Sequence, residues 1–132
     1  MAGSSLRQPL TRENIIGIIL SGAFEGREKE QILRCDDLEE KVTELLLRER
    51  QRRFIGDNYH FVTAGAFPYS EEVHRTIEFF HEVGILTYIM GEEGENIYPK
   101  VVRFAEVSRK QRRISRADYE FLRNLGKKLV HR

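Results

Sequence analysis

The chain has one cysteine, Cys35, so no intramolecular disulfide can form, and a lone thiol fits a reducing compartment. It has no long apolar run. The longest stretches, Ile15-Ile16 and the triplet 18–20, are parted by Gly17 and fall far short of the ~20 residues a membrane span requires. The first 15 residues lack the basic-then-apolar pattern of an export signal, so a cytoplasmic protein without membrane contact is expected. Charge of one sign is missing too: 22 Lys/Arg against 21 Asp/Glu leave +1, which excludes a polycation. There is no Gly-x-Ser-x-Gly nucleophile elbow and no phosphate-binding glycine loop, since the glycines at 91 and 94 are flanked by glutamates that repel phosphate. What is present is 132 residues, 40% hydrophobic and 33% charged. That balance suits one globular domain able to hold a core without disulfide or metal.

Residues 1–10 read as a disordered tail and 11–132 as a single domain. Thr11 offers an N-cap, and apolar residues at helical spacing (Ile15, Ile16, Ile19, Ala23) predict a first helix over 11–24, bracketed by Gly22 and Gly26. Its β-branched isoleucines keep a buried strand open as the alternative. Asp36 with Glu39 has capping-box spacing and opens a second helix over 37–53, with Leu38, Val42, Leu45 and Leu46 on one face. Pairs Glu44 with Arg48 and Glu49 with Arg53 are expected on the other face. Residues 56–58 (GDN) break it, 59–63 (YHFVT) read as a short strand, and 64–69 (AGAFPY) as a loop.

Ser70 caps a third helix whose stripe is Val73, Ile77 and Phe80 and whose stop is Gly84. Residues 85–90 (ILTYIM) read as a strand, 91–96 as a turn, and 97–107 as a returning strand that Pro99 confines to an edge or splits. Ser115 with Asp118 caps a last, basic helix carrying Tyr119, Leu122, Leu125 and Leu129 and ending near His131. The expected fold class is α+β, with about four helices and a small antiparallel sheet.

A capped helix running into "HEVGILTYI", a glycine-rich turn and a returning strand resembles winged helix-turn-helix domains, closely over 70–107 and more loosely over the rest. The resemblance implies DNA binding in transcription control, with the third helix as reader, the hairpin as wing and homodimerisation through the last helix. Arg75 would face the groove of duplex DNA. Arg109, Lys110, Arg112, Arg113 and Arg116 would hold phosphate. The linker 54–69 departs from the pattern, being longer than the compact turn of a helix-turn-helix. A second motif, Tyr119-x-x-Leu122-Arg123-Asn124, is similar to a Tyr-Arg-Asn motif of bacterial glycerol-3-phosphate acyltransferases. The His-x4-Asp motif that family requires follows none of His60, His74, His81 or His131, so only a remote accessory-domain relationship is left.

The residues themselves weigh against groove reading. The exposed face of the third helix would carry Glu71, His74, Arg75, Glu78, His81 and Glu82, one arginine against three glutamates, and carboxylates oppose phosphate contact. The alternative is a protein-interaction module that docks through Glu78, Glu82, Glu92 and Glu93, with Phe67 and Tyr69 as apolar anchors. Phe67, Pro68 and Tyr69 are otherwise expected to plug the core. The basic run 109–116 reads as a nucleic-acid patch or a solvated face. Arg112-Arg113-Ile114-Ser115 has a basophilic-kinase form, but the N-cap role already accounts for Ser115.

His74 and His81 lie seven residues apart, ~10 Å along a helix, too far to share one metal ion. His81-Glu82 begins a zincin-like motif that Ile85 fails to complete. Cys35, beside Asp36 and Asp37, is expected to have a raised pKa and low reactivity. The sequence therefore predicts a non-enzymatic binding module with no catalytic residue, metal or cofactor.

Overall fold

The computed structural model describes residues 9–27, 30–91 and 94–130. Residues 1–8 of the expected tail, Glu92 and Glu93 of the expected docking surface, and the helix end at His131 lie outside these. The described residues form an α+β domain of six helices and one three-stranded antiparallel sheet.

Helix α1 (Arg12–Gly22) begins in a reciprocal cap: the Thr11 hydroxyl accepts from the Asn14 N–H while the Asn14 side chain accepts from the Thr11 N–H. From Asn14 to Gly22 every residue is buried, so α1 is a central helix with neighbours around it. That all-round burial is why the isoleucine-rich segment is helical despite its β-branched side chains. Its main neighbours are α5 (Lys100–Arg112) and α6 (Arg116–Gly126), with α4 (Glu71–Glu82) also in contact. The crossing with α6 is backbone against backbone: a β-carbon on Gly126 would overlap the Ile19 carbonyl, and one on Gly22 the Arg123 carbonyl. Asn14 Nδ2 also donates to Ser108 Oγ of α5 at 3.1 Å, in the buried layer between the helices.

The sheet order is β1 (Leu33–Asp36), β3 (Gly94–Ile97), β2 (Leu86–Tyr88). Leu33 and Leu86 both pair with Ile97, so three buried side chains share one rung facing the helices. Strand β1 was not expected from the sequence. Its four residues alternate buried and exposed, and only pairing with β3 gives them a strand partner.

Four local readings are corrected. The second helix, α2 (Leu38–Arg48), is shorter than 37–53, and its N-cap is Asp37, held in the left-handed region at φ 53° without a side-chain cap bond. Asp36 ends β1 and pairs with Arg34 instead. Residues Arg53–Gly56 form a separate single turn, α3, so Glu49 meets Arg52 and Arg53 meets Asp57. The strand expected at 59–63 reduces to one bridge, Val62 with Tyr69. The strand expected over 97–107 stops at Ile97, and from Lys100 onward the chain is helical. Pro99 stands at the N-cap, where its missing N–H costs nothing, and Val101, Ala105 and Ser108 fall at helical spacing on the buried side of α5. Six helices thus replace the expected four.

Other local expectations hold. Ser70 accepts from the Val73 N–H and Ser115 from the Asp118 N–H. Gly84 ends α4 at φ +80°, followed by a bond from the Ile85 N–H to the Phe80 carbonyl, which delivers the chain into β2.

Candidate functional site

Two surfaces of opposite charge carry the polar chemistry. The first is the outward side of α4. Arg75, its only arginine, is bound by Glu71 one turn earlier at 2.8 Å. Glu71 also accepts from the Tyr69 hydroxyl at 2.5 Å, and that bond, with lesser help from desolvation, pushes the phenol up to about 12. His74 Nδ1 stands 3.0 Å from Glu39 of α2, and its Nε2 3.5 Å from Glu78. The Glu39 bond raises the His74 pKa above its ordinary value. His81 is enclosed by the hairpin. It stacks on Tyr88 at 3.8 Å between ring centroids and bonds Glu95 at 2.5 Å, while burial pushes the Glu95 carboxyl up. The result is a ladder of rings, Tyr69, His74, His81 and Tyr88, flanked by Glu39, Glu71, Glu78 and the exposed Glu82.

Glu39 and Glu95 were not read from the sequence as site residues, because they join α4 from other elements. The Glu71 and Arg75 pair was legible in principle from its i,i+4 spacing. Beside the ladder, a crevice of about 220 Å³ is lined by Asp37, Glu39, Glu40, Tyr88 and Glu95. Phe67 is 62% exposed and does not plug the core. It lies in the loop closed by the Val62 and Tyr69 bridge, which spends its hydrogen bonds on itself and leaves the ring outside. At the hairpin, Tyr88 is 71% and Met90 96% exposed.

The second surface is basic. Residues 100–132 hold eleven Lys/Arg against three Asp/Glu, whereas residues 1–99 hold eleven against eighteen. Between the end of α5 and α6 lies an open cleft of about 640 Å³ lined by Arg109, Lys110, Arg113, Tyr119 and Arg123, with Glu106 and Glu120. The Arg109 guanidinium sits 4.8 Å from the centre of the buried Tyr119 ring and that of Arg123 5.9 Å from it. Arg112 lines a neighbouring groove with Leu10 and Phe54, and Arg116 opens α6. Arg75 is not part of the cleft, so the six cations expected to act together on DNA do not share one surface. From the sequence, Tyr119 reads as part of a core stripe and, with Arg123, of an acyltransferase-like motif, while Arg123 also belongs to the basic last helix. Their place in the cleft depends on how α5 and α6 both pack against α1.

The last helix was expected to serve homodimerisation, but its apolar stripe, Tyr119, Leu122, Leu125 and Leu129, is buried within the domain by the packing of α6 on α1. Cys35 is buried, and its thiol points to the Leu129 carbonyl at 3.5 Å. Burial, more than Asp36 or Asp37, pushes it up to about 11. Among the described residues no cluster of His, Cys, Asp and Glu could hold a metal ion, and no helix is long and apolar enough to cross a membrane. No family model, curated protein or solved structure matches this chain.

Proposed function

We propose that the chain is a non-enzymatic binding module of winged-helix type, whose α4 and hairpin face docks a Lys/Arg-rich protein segment. The order of elements supports the first half: helix, strand, helix, the single turn α3, the α4 helix, then a two-stranded hairpin, with β1 completing the sheet beside β3. The observation that carries the second half is the bond between Arg75 and Glu71. It neutralises the one cation that α4 could offer a phosphate backbone and leaves Glu39, Glu78 and Glu82 to set the sign of the face. Exposed Tyr88 supplies an aromatic anchor next to those carboxylates, the combination that favours a basic side chain over its competitors.

Titration of fluorescent Lys/Arg-rich helical peptides tests this reading. Glu78→Lys with Glu82→Lys should weaken binding about tenfold or more, and Glu44→Lys on α2 should not. Equal loss in both, or no binding by the unaltered protein, would dismiss it. A second reading, nucleic-acid binding of the kind the winged-helix resemblance implies, draws its support from the basic cleft and not from α4.

A further inference from the structure

The geometry points to a second, independent site: the cleft between α5 and α6 seats consecutive phosphates of a nucleic-acid strand. Arg109, Lys110 and Arg113 make no ion pair among the described residues. Arg52, Arg53, Arg75 and Lys127 each have a carboxylate within 4 Å. Three cations that no carboxylate holds within 4 Å therefore line one opening. Tyr119 gives that opening a fixed wall, since its buried ring is flanked by the guanidiniums of Arg109 and Arg123, the latter also tied to Glu25 at 3.1 Å.

A helix dipole alone does not account for the cluster. Cations on the last turn of α5 favour its negative end, which suffices for Arg109 and Lys110. Arg113 lies beyond that turn, and Arg116 stands at the start of α6, where a positive charge opposes the dipole. Arg113 also occupies the left-handed region at φ 54°, the position where a helix end favours glycine. The chain keeps an arginine there against the local backbone preference.

An extended strand suits the site better than a lone anion. The cleft is open, and basic residues continue along α6 from Arg116 to Lys127, which also contacts Glu25 at 3.7 Å, and Lys128. The first two of these are about 16 Å apart on the helix, the length of roughly five base steps. Arginine forks match phosphate oxygens in pairs, and three of the four cleft cations are arginines.

Fluorescence anisotropy with a labelled mixed-sequence single strand of about 20 nucleotides, and with its duplex, reads the site directly. Affinity should fall steeply between about 50 and 200 mM salt, with a log–log slope near −3 for four phosphates on a single strand. Arg109→Ala with Arg113→Ala should weaken binding about tenfold or more. Arg113→Gly is the decisive variant, since it relieves the left-handed position: melting temperature should hold or rise while affinity drops and the slope shrinks by about 1. Glu78→Lys with Glu82→Lys should leave this binding intact or tighter, which separates it from the docking face of α4. The proposal is overturned if neither strand nor duplex binds, or if Arg53→Ala weakens binding as much as Arg113→Gly. It is overturned equally if pyrophosphate displaces the strand at millimolar concentration, or if a polyglutamate peptide binds as tightly as the strand.

Discussion

Gly126 lies against the main-chain carbonyl of Ile19 so closely that a β-carbon on it would overlap the oxygen. Gly22 meets the Arg123 carbonyl in the same way, so α1 and α6 cross with no side chain between their backbones at that point. Gly126→Ala should force the helices apart and loosen the layer of Ile19, Leu122 and Leu125, at a cost of about 3 kcal/mol or more in urea unfolding. Gly26, at φ +77° with no atom near its missing β-carbon, should lose only about 1 kcal/mol as alanine.

Stability should depend on pH at both ends. The bond from Glu39 raises the folded-state pKa of His74, so its contribution is full below the unfolded value near 6.5 and is lost as pH rises through the folded value. Glu72 behaves in the opposite sense. Burial pushes it up, but the His60 and Glu72 backbone N–H groups, the His60 ring and the Ser70 hydroxyl outweigh that and hold it at about 2. Its contribution is present above the ordinary 4.5 and fades as pH falls toward 2. Urea midpoints taken across pH 2 to 9 should slope at both ends, with His74→Gln flattening the alkaline side and Glu72→Gln the acid side.

Asn14 has two jobs, returning the cap bond to Thr11 and donating to Ser108 in the core. Asn14→Ala should cost about 1–3 kcal/mol. Ser108→Ala leaves a buried amide without its acceptor and should cost about as much. A double-mutant cycle should show less than additive loss, because each change removes the same bond.

Cys35 should resist thiol reagents in the folded state. Burial raises its pKa to about 11, so little thiolate exists at pH 8, and the sulfur is covered. Modification by a disulfide reagent should follow the unfolding rate and become fast in denaturant.

Phe67→Ser tests the loop. The ring is largely outside, so stability should change by no more than about 0.5 kcal/mol, where a core phenylalanine such as Phe80 would cost several. A larger loss would place Phe67 in the core after all.

The capped helix starts at Thr11, Ser70 and Ser115, the stop at Gly84 and the turn into β2 are legible in the residues alone. Each rests on contacts within about one turn of chain, so neighbouring residues suffice to specify them. The contiguous run 109–116 was likewise readable as a basic cluster. Tertiary structure decided the rest. LRCD is a strand only because Ile97 brings β3 beside it, and the β-branched stretch after Pro99 is a helix because α1 takes Val101 and Ala105 at helical spacing. The same holds for the candidate surfaces: Glu39 lies 35 residues from the His74 it engages, Glu95 14 residues from His81, and Arg109 reaches Tyr119 across a reversal of the chain. Whether such groups meet depends on which faces the core brings together, a collective result of packing that no local window of residues contains.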